Sequence, residues 1–103
     1  METTKLLAYI AHPYRASDKK GIYQNFKIAQ MYGKKAWKEG LIPVIPHFNS
    51  CAVFGLTKGK NEDITIYDLH LLSKCDILWA CGDRISGGMK IEIEFCKERV
   101  IPV

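Results

Sequence analysis

Two kinds of apolar pattern alternate along the chain. Leu6 to Ala11 (LLAYIA) is a continuous apolar run closed by His12-Pro13. A run this short, with a proline stop, predicts a strand buried on both faces. From Ile22 to Glu39 the residues Ile22, Phe26, Ala29, Ala36 and Trp37 recur at helical spacing, and Gly40 follows as a stop. Leu41 to Ile45 is a second apolar run, closed by Pro46. Phe48 to Asn61 has no period; with Gly55, Lys58, Gly59 and Lys60 it reads as a long, lid-like loop. Asp63 can cap a short helix that runs through Ser73. Asp76 opens the third apolar run, Ile77 to Cys81, and Gly82 to Gly88 is a glycine-rich turn. Met89 to Arg99 has a helical pattern, and Val100 to Val103 starts a last strand. Trp37 and Trp79 read as core.

The predicted order is β-α-β-loop-α-β-α-β, an α/β chain. Buried strands alternating with helices argue for a parallel sheet covered on both faces. Ligands in such sheets sit at the carboxyl ends of the strands, near the point where strand order reverses. Three segments leave those ends: His12 to Gly21, His47 to Asp63, and Gly82 to Gly88. They are expected to converge on one pocket.

Composition narrows the class. At 103 residues, 48% hydrophobic and 25% charged, the chain reads as one globular domain. No apolar run approaches the roughly 18 residues of a membrane span. The start, Met1-Glu2-Thr3-Thr4-Lys5, carries an acid before a short apolar run, so no secretory signal is expected. Cys51, Cys75, Cys81 and Cys96 form no C-x-x-C and pair with no histidine at zinc-ligand spacing, which fits a reducing cytoplasm. Cys75 and Cys81 read as small core residues. The formal charge is +4. Lys19, Lys20, Lys27, Lys34, Lys35 and Lys38 gather in or before the first helix, and the acids gather after position 60. Such a face either attracts an anionic ligand or is simply solvated. Without arginine–aromatic interleaving, nucleic-acid binding is not expected.

The candidate chemistry lies in the predicted pocket loops. Ser86-Gly87-Gly88 precedes a helix, where backbone N–H groups and the helix dipole can hold an anion; it can equally be a flexible turn. Glu92 falls one turn after Gly88 and shares its face, which aims it at the pocket, although a solvated surface charge is the commoner role for such a residue; Glu94 and Glu98 share a solvent face. A carboxylate near a helix N-terminus is favoured in its ionised form, which suits a nucleophile. Asp68 lies in the second helix. Asp76 stands at the wrong end of the third strand for the pocket and reads as structural. Arg15, beside Tyr14, is either a phosphate fork or an exposed loop arginine. His12 and His47 each follow a strand and flank the same cleft, though a lone histidine is more often structural than catalytic.

Tyr9-Ile10-Ala11-His12-Pro13-Tyr14-Arg15 and Ser86-Gly87-Gly88-Met89-Lys90-Ile91-Glu92-Ile93-Glu94-Phe95-Cys96 together resemble the nucleoside 2-deoxyribosyltransferase superfamily, in particular its short bacterial and phage branch. The resemblance runs over nearly the whole chain and implies a single domain of that kind over 1–103. The implied fold is a Rossmann-like or flavodoxin-like three-layer α/β sandwich with a mostly parallel sheet of about four to five strands. Gly88, Glu92 and Cys96 match the family frame of glycine, nucleophilic glutamate and small residue, so Glu92 is the implied nucleophile. Asp68 and Asp76 keep the family interval, which implies that Asp68 helps protonate the departing base. Tyr9 stands where a family tyrosine orients the nucleophile, and Tyr14 would lie against base or sugar.

Ser86, at the position where nucleoside enzymes tend to carry an acid, resembles the 2′-deoxynucleoside 5′-phosphate N-hydrolases. Arg15 and His47 also have counterparts there. The implied binding set is Tyr14, Arg15, His47, Ser86, Gly87, Gly88 and Met89. The implied activity is N-glycosidic cleavage of a (deoxy)nucleoside 5′-monophosphate without metal or redox cofactor. Base exchange on nucleosides and a non-catalytic nucleotide-binding module are the alternatives. Glu94 departs from the glycine usual in the family. Relatives close the phosphate site with residues beyond the last strand or from a neighbouring subunit, so a cytoplasmic homodimer or higher homo-oligomer is expected, with no membrane partner.

Overall fold

The structure is a computed structural model and describes residues 5–14, 16, 18–55 and 62–103. Strand β1 (Leu7–Ala11) is the middle strand, and four of its five residues are buried. It is flanked in parallel by β2 (Ile42–Val44) and β3 (Ile77–Ala80), in the order β2-β1-β3. Leu7 pairs with Ile42, and Ile10 with Trp79. Parallel neighbours need crossovers. Helix α1 (Lys19–Lys38) leads from β1 to β2. Helices α2 (Pro46–Phe54) and α3 (Glu62–Ser73) lead from β2 past β1 to β3, and α4 (Gly87–Arg99) follows β3. Strand order therefore reverses at β1, and the carboxyl ends of β1 and β3 form the switch point.

The two faces of β1 carry separate clusters. Tyr9 and Ala11 pack with Leu78, with Leu72 of α3, and with Met89 and Cys96 of α4. Ile10 points the other way, onto Ala36 of α1 and Cys81, with Tyr32, Ile45 and Trp79 around them. Helix α1 starts at an Asp18 cap, whose Oδ1 accepts the Gly21 N–H at 2.8 Å. Beyond its end Gly40 has φ +86°. Its buried face is Ile22, Phe26, Ala29, Gly33 and Ala36. Gly33 lets the helix sit close on the sheet, since a Cβ there would come within 2.6 Å of Ile45 Cδ1. Trp37, expected in the core, is instead 58% exposed. It follows Ala36, and one residue is about 100° of helix rotation, enough to leave the buried stripe. Trp79 is half-buried.

The expected long loop is shorter than its sequence suggested. Phe48 to Phe54 belong to α2, which opens with Pro46 in its first turn and ends at Gly55, φ +92°. Lys58, Gly59 and Lys60 lie outside the described residues. Asp63 sits in the first turn of α3 rather than at its cap.

The expected last strand is also corrected. Val100 takes a left-handed conformation (φ 59°), and Val100 to Val103 form no strand. Pro102 makes one ladder-like contact, its carbonyl accepting the Leu78 N–H at 2.8 Å, but a proline nitrogen cannot donate in return. Among the described residues the sheet therefore has three strands. No described helix is long and apolar enough to cross a membrane.

All four cysteines are free thiols, and Cys75, Cys81 and Cys96 are buried. Burial pushes the thiols of Cys75 and Cys81 up to about 11. Asp76 is structural as expected. Its Oδ2 accepts the Leu7 N–H at 2.7 Å, and its own N–H donates to the Leu7 carbonyl at 2.9 Å, pinning the starts of β1 and β3 together. Asp76→Ala is expected to lower unfolding stability by about 1–2 kcal/mol, the net worth of a charge-assisted hydrogen bond at an exposed site. Asp76→Asn should recover most of it; equal urea midpoints for wild type and Asp76→Ala would remove this role.

Candidate functional site

Helix α4 begins one turn beyond β3, with Ser86 at its cap. The Ser86 Oγ accepts the Met89 N–H at 3.2 Å, and its carbonyl accepts the Lys90 N–H at 3.0 Å. Met89 and Cys96, 1% and 0% exposed, anchor the inner face of the helix. Glu92 lies three residues after Met89 and four before Cys96, so it shares their face and is drawn inward. Glu94 and Glu98 are exposed, as expected.

Tyr9, the middle residue of β1, is 0% exposed. Its hydroxyl donates a short hydrogen bond to Glu92 Oε2. Burial raises the phenol well above 10, and the charges of Glu92 and Asp68 raise it further. Tyr9 is therefore a fixed donor and Glu92 its acceptor at neutral pH. Burial raises the Cys96 thiol as well, with Glu92 the second cause.

Asp68 of α3 and Glu92 both line a cleft of about 100 Å³ whose other walls include Ala11, His12, Tyr14, Pro46, His47, Ser86, Gly88 and Met89. A second recess of about 60 Å³ shares Asp68, Glu92 and Gly88 and is completed by Thr65, Leu69 and Ile91. A larger, shallower recess of about 560 Å³ lies between α1 and β3 and contains none of these groups. The smaller cleft is the candidate site, because polar side chains from four elements converge there at the switch point.

Two histidines shape its outer wall. A carbonyl only accepts, so the Pro13 oxygen takes N–H bonds from His12 Nδ1 at 2.9 Å and from His47 Nε2 at 3.1 Å. Burial pulls His12 below the ordinary histidine value, and Arg84 lowers it further, against the opposing effects of the Pro13 carbonyl and Asp83. His12 is thus neutral at pH 7. His47 is only 2% exposed. The Tyr14 ring packs against Phe26 and His47 at 5.3 and 5.4 Å, and its carbonyl accepts from Asn25 Nδ2 at 3.0 Å. No group of three or more potential metal ligands occurs among the described residues.

The model of the family described as a domain of unknown function, DUF7768, matches residues 6–103. The chain belongs to that family. No curated protein and no solved structure matches it.

Of the residues singled out from sequence, the structure brings together Tyr9, Tyr14, His47, Asp68, Ser86, Gly88, Met89 and Glu92. Gly87 is exposed at the first helical position and is not part of the cleft wall. Arg15 lies outside the described residues. His12, weighed only as a flanking residue, lines the cleft directly. Pro46 was read only as a strand stop, yet it lines the cleft and opens α2, the helix that carries His47.

The raised Tyr9 pKa has a definite sign in stability. The unfolded phenol ionises near 10 while the folded one holds its proton, so stability is full below pH 10 and falls as pH rises above it. Ultraviolet titration should show one tyrosine that ionises only on alkaline unfolding, and Tyr9→Phe should abolish that component. A full complement of tyrosines ionising in the native state would contradict the buried phenol.

Proposed function

We propose that this protein cleaves the N-glycosidic bond of a (deoxy)nucleoside 5′-monophosphate, with Glu92 as the nucleophile. The observation that carries the reading is the convergence of Glu92, held by the buried Tyr9 hydroxyl, with Asp68 in one cleft at the sheet's switch point. A carboxylate anchored by a neutral phenol is oriented without losing its charge. Paired carboxyl groups of this kind serve a retaining glycosyl cleavage.

In that reaction Glu92 attacks C1′ as the bond to the base breaks, through an oxocarbenium-like transition state, giving a glycosyl-enzyme. Asp68 supports delivery of a proton to the leaving base. Water then attacks C1′, the ester to Glu92 breaks, and the sugar phosphate leaves. Tyr14 and the neutral His12 offer rings against the base or sugar. The phosphate would lie at the start of α4, where Ser86 donates without adding a negative charge.

The β2-β1-β3 order supports a wider reading of the fold, as the centre of a Rossmann-like or flavodoxin-like sandwich whose sheet grows to four or five strands, about the usual size. A homodimer or higher homo-oligomer in the cytoplasm would then close the phosphate site. Among the described residues lining the cleft none is Lys or Arg.

Chromatography of a panel of nucleosides and monophosphates incubated with the protein should reveal free base. Glu92→Gln should abolish its release with the fold intact, and Asp68→Asn should slow it by about 10²–10⁴-fold. Full activity in Glu92→Gln would falsify the nucleophile. Added acceptor base separates hydrolysis from exchange. Binding without turnover, unaffected by Glu92→Gln, would indicate a nucleotide-binding module. Ser86→Asp should penalise monophosphates more than nucleosides, by roughly tenfold or more, through charge repulsion in a partly desolvated site; equal effects on both would remove the case for the phosphate.

A further inference from the structure

Helix α1 carries six lysines and no acid, so it holds +6 of a chain whose total is +4, and the remaining residues sum to −2. Its lysines are all exposed. Two aromatic residues of the same helix are exposed as well, Tyr23 at 55% and Trp37 at 58%. Tyr23, Lys27, Gln30, Lys34 and Trp37 are spaced four, three, four and three residues apart, so they form one stripe along a single flank of the helix. The two rings end a line about 21 Å long, with two lysines and an amide between them. Lys5 adds a cation at the far end, its Nζ 5.8 Å from the Trp37 ring centre.

We propose that this flank of α1 binds single-stranded nucleic acid, with Lys27 and Lys34 on phosphates and Tyr23 and Trp37 stacking on bases. Aromatic side chains set among cations along a line are the pattern of sequence-tolerant strand binding. A lipid surface fits less well. The crest of the helix, opposite its buried stripe, is Lys20, Met31 and Lys38, and a flat bilayer would meet that crest rather than the flank that carries the rings. The surface is remote from Glu92 in sequence and element, and the proposal does not depend on the glycosidic reading.

Fluorescence anisotropy of a labelled oligothymidylate with the full chain tests it. The logarithm of the association constant should fall linearly with the logarithm of salt, with a slope of about −0.7 per phosphate neutralised. Lys27→Gln and Lys34→Gln should each flatten that slope by about 0.7. Tyr23→Ala and Trp37→Ala should weaken binding by roughly tenfold or more at unchanged slope, because stacking carries no counterions. Lys97→Gln, on α4, should change neither. All four α1 positions are exposed, so circular dichroism should show these variants folded. No binding at low salt, a slope indifferent to both lysine substitutions, or binding to phosphatidylserine vesicles without binding to the oligonucleotide would each overturn the proposal.

Discussion

The hydroxyl of a fully buried tyrosine in the middle of the central strand must find an acceptor, and that need organises the site. Leaving such a hydroxyl unsatisfied costs about 1–3 kcal/mol. Tyr9 meets the need through Glu92. The bond ties the centre of the sheet to the first half of α4, so the position of Glu92 is set by the core and not by a surface loop. The converse also holds. A carboxylate drawn toward a core is costly unless hydrogen-bonded, and the phenol is one of the groups that makes its position tolerable. Raised by burial and by both neighbouring carboxylates, the phenol cannot become a competing anion at neutral pH. Donor and acceptor are therefore assigned by the environment.

The packing that holds this pair was legible where hydrophobicity carried the signal. The runs around Tyr9, Val44 and Leu78 became β1, β2 and β3: a strand buried on both faces, as β1 is, leaves continuous apolar text, and the half-buried β2 and β3 keep the same pattern. The inward aim of Glu92 followed from its spacing to Gly88. Helix α2 escaped notice because its buried residues are Pro46, His47 and Ser50, which carry no hydrophobic period. Trp37 was misplaced because size was taken for burial; one step past Ala36 is enough to turn a large side chain outward. Val100 to Val103 had strand composition, but a left-handed Val100 and a proline without an N–H reduce the ladder to one bond. Hydrophobic pattern thus located the three strands, and spacing together with the family resemblance singled out Glu92 and Asp68, while polar burial and backbone chemistry escaped both.

Charge is divided between two regions in a way that composition alone conceals. The cleft is lined by two carboxylates and two histidines, and α1 carries lysines without acids. A net +4 read as a single number suggests a mildly basic protein. Resolved by element it is a strongly cationic helix on a slightly acidic body. The polarity of the described cleft wall thus favours groups that donate hydrogen bonds.

The Pro13 carbonyl shows how the first loop is held against that site. One oxygen accepts from His12, just before it in sequence, and from His47, in the first turn of α2. Because a carbonyl cannot donate, both nitrogens must carry protons, and the bonds fix the ring tautomers together with the loop path. Tyr14 follows Pro13 directly and packs at a tilt against His47 and Phe26, so its ring inherits the same anchor. The loop leaving β1, the start of α2 and the outer wall of the cleft are thereby one hydrogen-bonded and ring-packed unit. Replacing either histidine would disturb Tyr14 even where the histidine itself never touches a ligand, so a loss of binding after such a change would report positioning before it reported chemistry.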